Sequence, residues 1–291
     1  VITVVPLAIH HRRELLPFFE KHPPRVSELT FTNLFVWRHH RPVWFAKSEE
    51  SLFFLVESSP GSGPDTLFGH PLGPSAASIS RLLPQLEGGE RLPLKTAAFL
   101  GRAGFGVTAD QDNADYVYRV RDLAELPGRR YAKKRNHVTR CFREHRIEYL
   151  AMTPMIIEEC LSLQEQWCAM RRCEDDPGLE GENLAIQEAL IHFQEFGLFG
   201  GVVMVDGSIG GFAVAERLTE DTAVCHFEKF LPHIPGLGQV VNQLFAKEAL
   251  SGFTYVNREQ DLGISGLRQA KESYFPFLMI PKYKAKRSPA P

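Results

Sequence analysis

The sequence predicts a mixed α/β protein of two domains. Three observations carry that expectation. The 291 residues, 44% hydrophobic and 23% charged, are long for one compact domain and sufficient for two, each with its own core. Stretches with strand alternation take turns with stretches of helical spacing along the whole chain. Asp206-Gly207 joins Leu198 to Val205 and Ser208 to Arg217, two runs of strand character, as a tight hairpin would.

In the first half, Glu14 to Glu20 and Glu28 to His40 read as helices. The second carries aromatic anchors at Phe31, Phe35 and Trp37 and is stopped by Pro42. Val43 to Ala46 and Leu52 to Glu57 form a strand pair across Lys47 to Ser51, and Ser58 to Pro64 is a loop. A helix over Ala76 to Leu86 and strands over Lys95 to Leu100 and Ala114 to Val120 follow. Asp122 to Gly128 reads as a boundary.

Between Gly128 and Arg146 there are eight Lys or Arg residues and one acid, Glu144. No Pro or Gly interrupts the stretch after Gly128, so a helix is expected, docked through Tyr131, Val138 and Phe142. Beyond it come a strand over Ile147 to Ala151 and a helix from Thr153-Pro154 to Trp167. A helix over Leu184 to Phe196, the hairpin and a strand over Thr222 to Phe230 follow. A loop over Leu231 to Gly238, a helix over Gln239 to Leu250 and a strand over Thr254 to Arg258 complete the order. The expected division is a domain over residues 1–125, a basic linker helix over 126–146, and a domain over 147–291 that holds the chemistry.

Composition narrows the function. A net charge of −2 excludes a protein that coats nucleic acid with its whole surface. The five cysteines form no CxxC pair and their number is odd, so reduced thiols and no metal site are expected. The longest mostly apolar stretch, Gly197 to Val205, is too short to span a bilayer. Val1 to Ile9 is apolar but has neither the basic leader nor the cleavage site of a secretion signal, so cytoplasmic placement is expected. No carboxylate cluster or Ser-His-Asp order points to a nuclease or hydrolase.

Three pieces carry candidate chemistry. In the first, a strand ending near Phe230 leads through Gly236-Leu237-Gly238 into a helix, whose free N–H groups and positive dipole end favour an anion. His233-Ile-Pro-Gly236-Leu-Gly238 resembles the pyrophosphate motif of the GNAT acyltransferases, with His where Gln or Arg stands in the motif. That resemblance implies a coenzyme A donor; a tight turn without ligand is the alternative. In the second, alternation over Thr222 to Phe230 places His226 and Glu228 on one strand face with Val224. They orient or deprotonate an acceptor, or form a structural pair. In the third, polar groups of both signs crowd a strand end at Asn257, Arg258, Glu259, Asp261, Arg268 and Lys271, where open α/β sheets bind ligands. The alternative there is a network of ion pairs between domains.

Tyr131-Ala-Lys-Lys-Arg-Asn136-His, His226-Phe-Glu228-Lys and the run from Asn257-Arg-Glu through Gly266-Leu-Arg268-Gln-Ala-Lys271 to Tyr274-Phe-Pro276 resemble the lysyl-phosphatidylglycerol synthase C-terminal family (domain of unknown function 2156). The resemblance implies two tandem GNAT-like domains with mixed central sheets. It also implies transfer of an aminoacyl group from aminoacyl-tRNA to a lipid or other acceptor. Lipid-modifying members carry a large membrane-embedded half; these 291 residues contain no such segment, which suggests a soluble member.

The basic stretch, with Arg129, Lys133, Lys134, Arg135 and Arg140, has three readings: a track for the tRNA acceptor stem, a contact with anionic headgroups, or a solvated linker helix. The expected function is acyl or aminoacyl transfer to an amine or hydroxyl of a small-molecule or lipid acceptor. The donor is a coenzyme A thioester or aminoacyl-tRNA, and no other cofactor is expected. Glu228 with His226 positions the acceptor, Tyr274 gives a proton to the leaving group, and Asn257, Arg258, Asp261, Arg268 and Lys271 hold the acyl moiety. The competing class is a non-catalytic binder of an anion or tRNA.

Overall fold

A computed structural model describes residues 3–48, 50–74 and 76–288. The first elements in chain order are β1 (Val4–Pro6), α1 (Arg12–Lys21), α2 (Phe31–Val36), β2 (Trp44–Lys47), β3 (Leu52–Glu57) and β4 (Pro64–Leu72). Then come α3 (Ala76–Leu82), β5 (Gly88–Leu92), α4 (Leu94–Arg102), β6 (Phe105–Ala109), β7 (Asp115–Arg119) and α5 (Val120–Glu125). The basic stretch forms α6 (Ala132–Glu144), followed by β8 (Ile147–Ala151), α7 (Ile157–Arg171), α8 (Pro177–Ile191) and α9 (Phe193–Phe196). The remainder is β9 (Phe199–Val205), β10 (Ser208–Arg217), β11 (Thr222–Phe230), α10 (Leu237–Glu248), β12 (Tyr255–Asn257), α11 (Ser265–Glu272), β13 (Leu278–Ile280) and β14 (Tyr283–Arg287). Residues 1 and 2 of the apolar start and residue 49 in the expected β2–β3 turn lie outside the described residues.

The chain forms two compact units. The first comprises the residues up to Asp115, Gln260–Gln269 and the chain from Met279 onward; the second comprises Tyr116–Glu259 and Ala270–Leu278. The first unit thus runs to Asp115, and the basic stretch lies within the second. Two late segments return to the first. β14, a Lys-rich strand with no apolar run to announce it, completes the first sheet between β5 and β6.

That first sheet is mixed and has seven strands in the order β1-β2-β3-β4-β5-β14-β6, parallel only between β4 and β5. Phe53, Leu55, Leu67, Ile79, Leu92, Ala97 and Leu100 fill its core. The strand expected over Lys95 to Leu100 is helix α4 instead. Thr96, Ala97 and Leu100 are its buried positions, spaced as one helix face, and Pro93 stands before it in an extended conformation. The helix expected over Glu28 to His40 is shorter, with Thr30 capping α2 through the Asn33 N–H. β4, β5 and β6 were not anticipated, since their Pro, Gly and charged residues break alternation.

The second sheet is also mixed and seven-stranded, in the order β13-β7-β12-β11-β10-β9-β8. β8 to β11 are antiparallel, β12 runs parallel to β11, and β7 is antiparallel to β12. Ala213, Ala215 and Ala223 bury against Val240, Val241 and Phe245 of α10, with Val138 and Cys141 of α6 in the same core. The reduced-thiol expectation is corrected at one point: Cys168 and Cys173 form a disulfide, Cα–Cα 5.0 Å. The left-handed Arg172 (φ 54°) ends α7 and turns the chain back so that the two thiols meet at a spacing that is no recognised motif. Cys141, Cys160 and Cys225 are free and buried.

The first unit also buries a lysine. Lys282 is 1% exposed and its ammonium lies 2.5 Å from Glu28 Oε2 and 2.6 Å from Asp115 Oδ1. Ser27 donates to the same Asp115 oxygen, and Arg91 bridges Glu28 and Asp110. Burial would raise the Glu28 carboxyl, but Lys282 and Arg91 outweigh it and hold the pKa below its ordinary value. Replacing Lys282 by Met is expected to destabilise the protein by about 3–5 kcal/mol in urea unfolding near pH 7, because two buried carboxylates lose their shared cation. Because the folded pKa of Glu28 is depressed, its stabilising share is complete above about pH 4.3 and fades as pH falls through the folded value. The wild-type and variant curves should therefore converge in acid.

Candidate functional site

β11 and β12 pair only from Thr222↔Tyr255 to Val224↔Asn257, and β11 then runs on to Phe230 without its parallel neighbour. The sheet is thus open at the carboxyl end of β11. A β-bulge lies in the same stretch. Glu228 pairs across from Ala213 and Phe227 from Val214, but Ala215 pairs with Cys225, so His226 is the extra residue. Residues directly opposite share a face. Cys225 and Glu228 therefore stand on the same face as Ala215 and Ala213, which strict alternation would have forbidden.

On that face, Arg258 Nη2 donates to both Glu228 oxygens at 3.1 Å, and Asn242 of α10 donates to Oε2 at 3.2 Å. The two charged side chains are 14% and 15% exposed. Two polar atoms here, Arg258 Nη1 and Asn242 Oδ1, are buried without a hydrogen-bond partner among the described residues. The Lys271 ammonium donates to the Arg258 carbonyl. Lys134 lies 4.0 Å from the Tyr274 ring centre and donates to Ser273 Oγ at 2.7 Å. Tyr118 and Tyr131 donate to the carbonyls of Lys271 and Tyr274, both at 2.8 Å.

The electrostatics follow from burial and from several cations gathered around Glu228, with Glu259 acting on Lys271. Burial and then Arg258 lower the Lys271 amine to about 8, and the same two causes lower Lys134. Burial opposes the charge on Arg258, but Glu228 outweighs it and raises the pKa further. Burial also pushes the phenols of Tyr118 and Tyr274 up, so both stay protonated as donors. The Cys225 thiol, pushed up to about 12 by burial and Glu228, is not a nucleophile near neutral pH.

The expected His226–Glu228 partnership is corrected by the bulge. The ring nitrogens of His226 bond to Glu259 Oε1 and Glu216 Oε1, both at 2.8 Å. Glu216 follows Ala215 and pairs with Val224, which places it on the face opposite Glu228. Burial disfavours the imidazolium, but the two carboxylates outweigh it and raise the pKa to about 9. With a proton on each nitrogen and a carboxylate on each proton, His226 has no lone pair to accept a further proton.

The other expected residues divide. Arg258 and Lys271 join Glu228 and Tyr274. Asn257 is buried and its Oδ1 accepts the Glu259 N–H at 2.8 Å, shaping the turn after β12. Asp261 and Arg268 belong to the first unit, where Arg268 pairs with Asp261 at 2.7 Å and with Asp112 at 2.7 Å. The basic stretch divides too. Arg129, Lys133 and Arg140 are exposed, and Arg140 pairs with Glu144 at 2.9 Å; Lys134 turns to Tyr274, and Arg135 donates to the Leu126 and Gly128 carbonyls. Asn242, Tyr118 and Tyr131 were missed. A polar residue among Val240, Val241 and Phe245 was the one available signal for Asn242.

The Gly236-Leu237-Gly238 turn opens α10 as expected, but the space its glycines leave is filled by protein. A Cβ on Gly236 (φ 87°) would lie 2.4 Å from the His137 carbonyl of α6, and one on Gly238 would lie 2.6 Å from the Phe230 ring. A separate cavity of about 350 Å³ adjoins the loop, lined by His145, Asp206, Ser208, Leu231, His233 and Ile234 among others.

The His226 geometry has a measurable consequence. Its folded pKa is raised, so its contribution is complete below about pH 6.5 and is lost as pH rises through about 9. Urea unfolding should show His226→Gln less stable than wild type by roughly 2–4 kcal/mol at pH 6, with the gap narrowing above pH 9.

The family model described as phosphatidylglycerol lysyltransferase, C-terminal, matches residues 19–286. A conserved protein of unknown function from Bacteroides thetaiotaomicron is 31% identical, with a TM-score of 0.88 over 99% of this chain and 100% of that one. L-PGS from Bacillus licheniformis is similar in fold at 15% identity, with a TM-score of 0.66 over 96% of this chain and 92% of that one. A tandem GNAT protein from the clavulanic acid biosynthesis pathway aligns over 100% of both chains at 10% identity and a TM-score of 0.51. No curated protein matches the chain. No helix among the described residues is long and apolar enough to cross a membrane. With a family match over most of its length and two mixed sheets of tandem GNAT type, this chain belongs to the phosphatidylglycerol lysyltransferase C-terminal family.

Proposed function

We propose that the chain is an aminoacyltransferase that moves an acyl group from an aminoacyl-tRNA ester to an amine or hydroxyl acceptor at the Glu228–Arg258 cluster. The carrying observation is that this cluster, at the open end of β11, is buried and polar and still keeps Arg258 Nη1 and Asn242 Oδ1 without partners among the described residues. Buried polar groups are normally paired, and an unmet pair at an open sheet end is a place where a water, an ion or a ligand can complete the set.

In this reading the acceptor nitrogen or oxygen attacks the ester carbonyl and passes its proton to Glu228, which returns it to the Tyr274 phenolate after transfer. The ester C–O bond breaks, and the tRNA ribose hydroxyl recovers a proton. Glu228 holds the acceptor by its N–H or O–H. Arg258 and Lys271 face the charge that develops on the carbonyl oxygen. Tyr274, kept protonated by burial, donates toward the leaving ribose oxygen. The acceptor is a small molecule or a lipid headgroup.

Coenzyme A thioester is the second donor class, and the cavity beside the Leu231–Pro235 loop favours it. The filling of the Gly236–Gly238 turn by α6 and Phe230 weighs against it. Family membership and the exposed cations of α6 favour tRNA.

Transfer from charged tRNA and from acetyl-coenzyme A, each offered with amine and hydroxyl acceptors, tests the reading. Glu228→Gln keeps the shape of the side chain and is expected to lower the transfer rate about 10²–10⁴-fold while tRNA binding persists. Tight tRNA binding with no transfer from either donor, unaffected by that substitution, would replace this reading with a non-catalytic binder.

A further inference from the structure

Phe275 and Phe277 are large aromatic residues that the fold leaves outside, at 40% and 47% exposure. Both carry stacked or edge partners of a particular kind. The Arg130 guanidinium lies 5.2 Å from the Phe275 ring centre, and Tyr131 meets that ring edge-on at 5.3 Å. The Arg119 guanidinium lies 4.2 Å from the Phe277 ring centre, and Tyr255 stacks on that ring at 5.2 Å. The Phe275 backbone is in the left-handed region, φ 54°, where a bulky side chain is an outlier. Burial does not explain that conformation, because the ring is exposed.

The cations on the rings themselves are Arg119 and Arg130. Arg129 and Lys133, exposed and in no ion pair among the described residues, flank Arg130 along the chain. Asp122 pairs with Arg130, and Glu125 with Arg121. A surface of flat rings and guanidinium planes bordered by unneutralised cations suits a chain of phosphates carrying flat bases. Its position adds a second argument. Tyr274, adjacent to Phe275 in the chain, has its ring beside Lys134 and within 5.3 Å of Arg258. Phe275 is therefore next in the chain to a residue of the Glu228–Arg258 cluster.

We propose that Phe275 and Phe277, with Arg119 and Arg130, form a stacking platform for the bases of a single-stranded RNA end, which presents the 3′-terminal ester to the cluster. This rests on the reading of aminoacyl-tRNA as the donor and adds where and how its end is held. Arg129 and Lys133 supply the salt-dependent phosphate contacts, and the rings supply a contact that salt does not screen.

Fluorescence anisotropy with a 5′-labelled RNA tetranucleotide ending in CCA, and with deacylated tRNA, tests the platform in the full chain. Phe275→Ala is expected to weaken tetranucleotide binding about tenfold or more without changing the salt slope. Arg129→Gln with Lys133→Gln should lower that slope. Phe275→Gly is the decisive variant, since Gly tolerates the positive φ. It should lose RNA as Phe275→Ala does while its thermal midpoint is no lower than that of the alanine variant, and Phe275→Trp should restore binding.

Wild-type-like RNA binding by Phe275→Gly overturns the proposal. So does binding of phosphatidylglycerol vesicles, lost on the same substitution, by a protein that does not bind the tetranucleotide. Transfer from charged tRNA with an unchanged KM in Phe275→Gly removes the platform and keeps the transfer reading. RNA binding that depends on Phe275 in a protein with no transfer activity keeps the platform and removes that reading.

Discussion

The contact on which the second unit depends is the imidazolium of His226, held between a carboxylate on β10 and one just beyond β12. It spans β11 at the point where that strand takes in an extra residue. The bulge changes the phase of everything that follows, and so Glu228 faces α10 and meets Asn242 and Arg258. The same clamp fixes Glu259, whose carbonyl accepts the Tyr116 N–H and whose neighbour is Arg258. A buried charge of this kind is tolerated because both of its protons have ionised acceptors. The placing of Glu228 in the open end of the sheet is thus a consequence of one local irregularity, and the opening itself of the shortness of β12.

Both units bury cations, but they do so differently. Around Lys282 in the first unit, two carboxylates meet the ammonium and a serine hydroxyl supports one of them. There Arg91 Nε and Glu28 Oε1 form an ion pair at 3.1 Å without a hydrogen bond, and the effect of the arrangement is on stability. Around Arg258 in the second unit, Lys134 and Lys271 both feel Glu228, Lys271 feels Glu259 as well, and burial and Arg258 still bring its amine down to about 8. This arrangement is open, with a donor and an acceptor unmet. What separates the candidate site from the structural network is its place at the open end of β11, together with a lysine amine brought down toward neutrality.

Much of the fold was legible in the chain. β8 through β12 stand where alternation and the Asp206-Gly207 turn put them, and α6 follows from an uninterrupted basic run. The misses have identifiable causes. The α4 segment carries strand character because a short apolar run has little period. β4 to β6 escaped because glycine, proline and charge break alternation in strands held mainly by their neighbours. Of the site, Glu228, Arg258, Lys271 and Tyr274 could be named from polar residues at strand ends. Asn242, Tyr118 and Tyr131 could not, because each looked like part of an apolar face.

The sequence by itself determined the secondary elements whose signals are local: amphipathic helices, alternating strands, a tight hairpin and a small-residue turn before α10. It also carried enough family character in three short stretches to imply the tandem arrangement. Only the tertiary structure decided the phase of β11, the separation of His226 from Glu228 and the disulfide between Cys168 and Cys173. It likewise decided the return of β14 to the first sheet and the filling of the Gly236–Gly238 turn by α6. Those features depend on register and on contacts between residues distant along the chain. Local periodicity records which face of an element is apolar, but not which partner will stand against it.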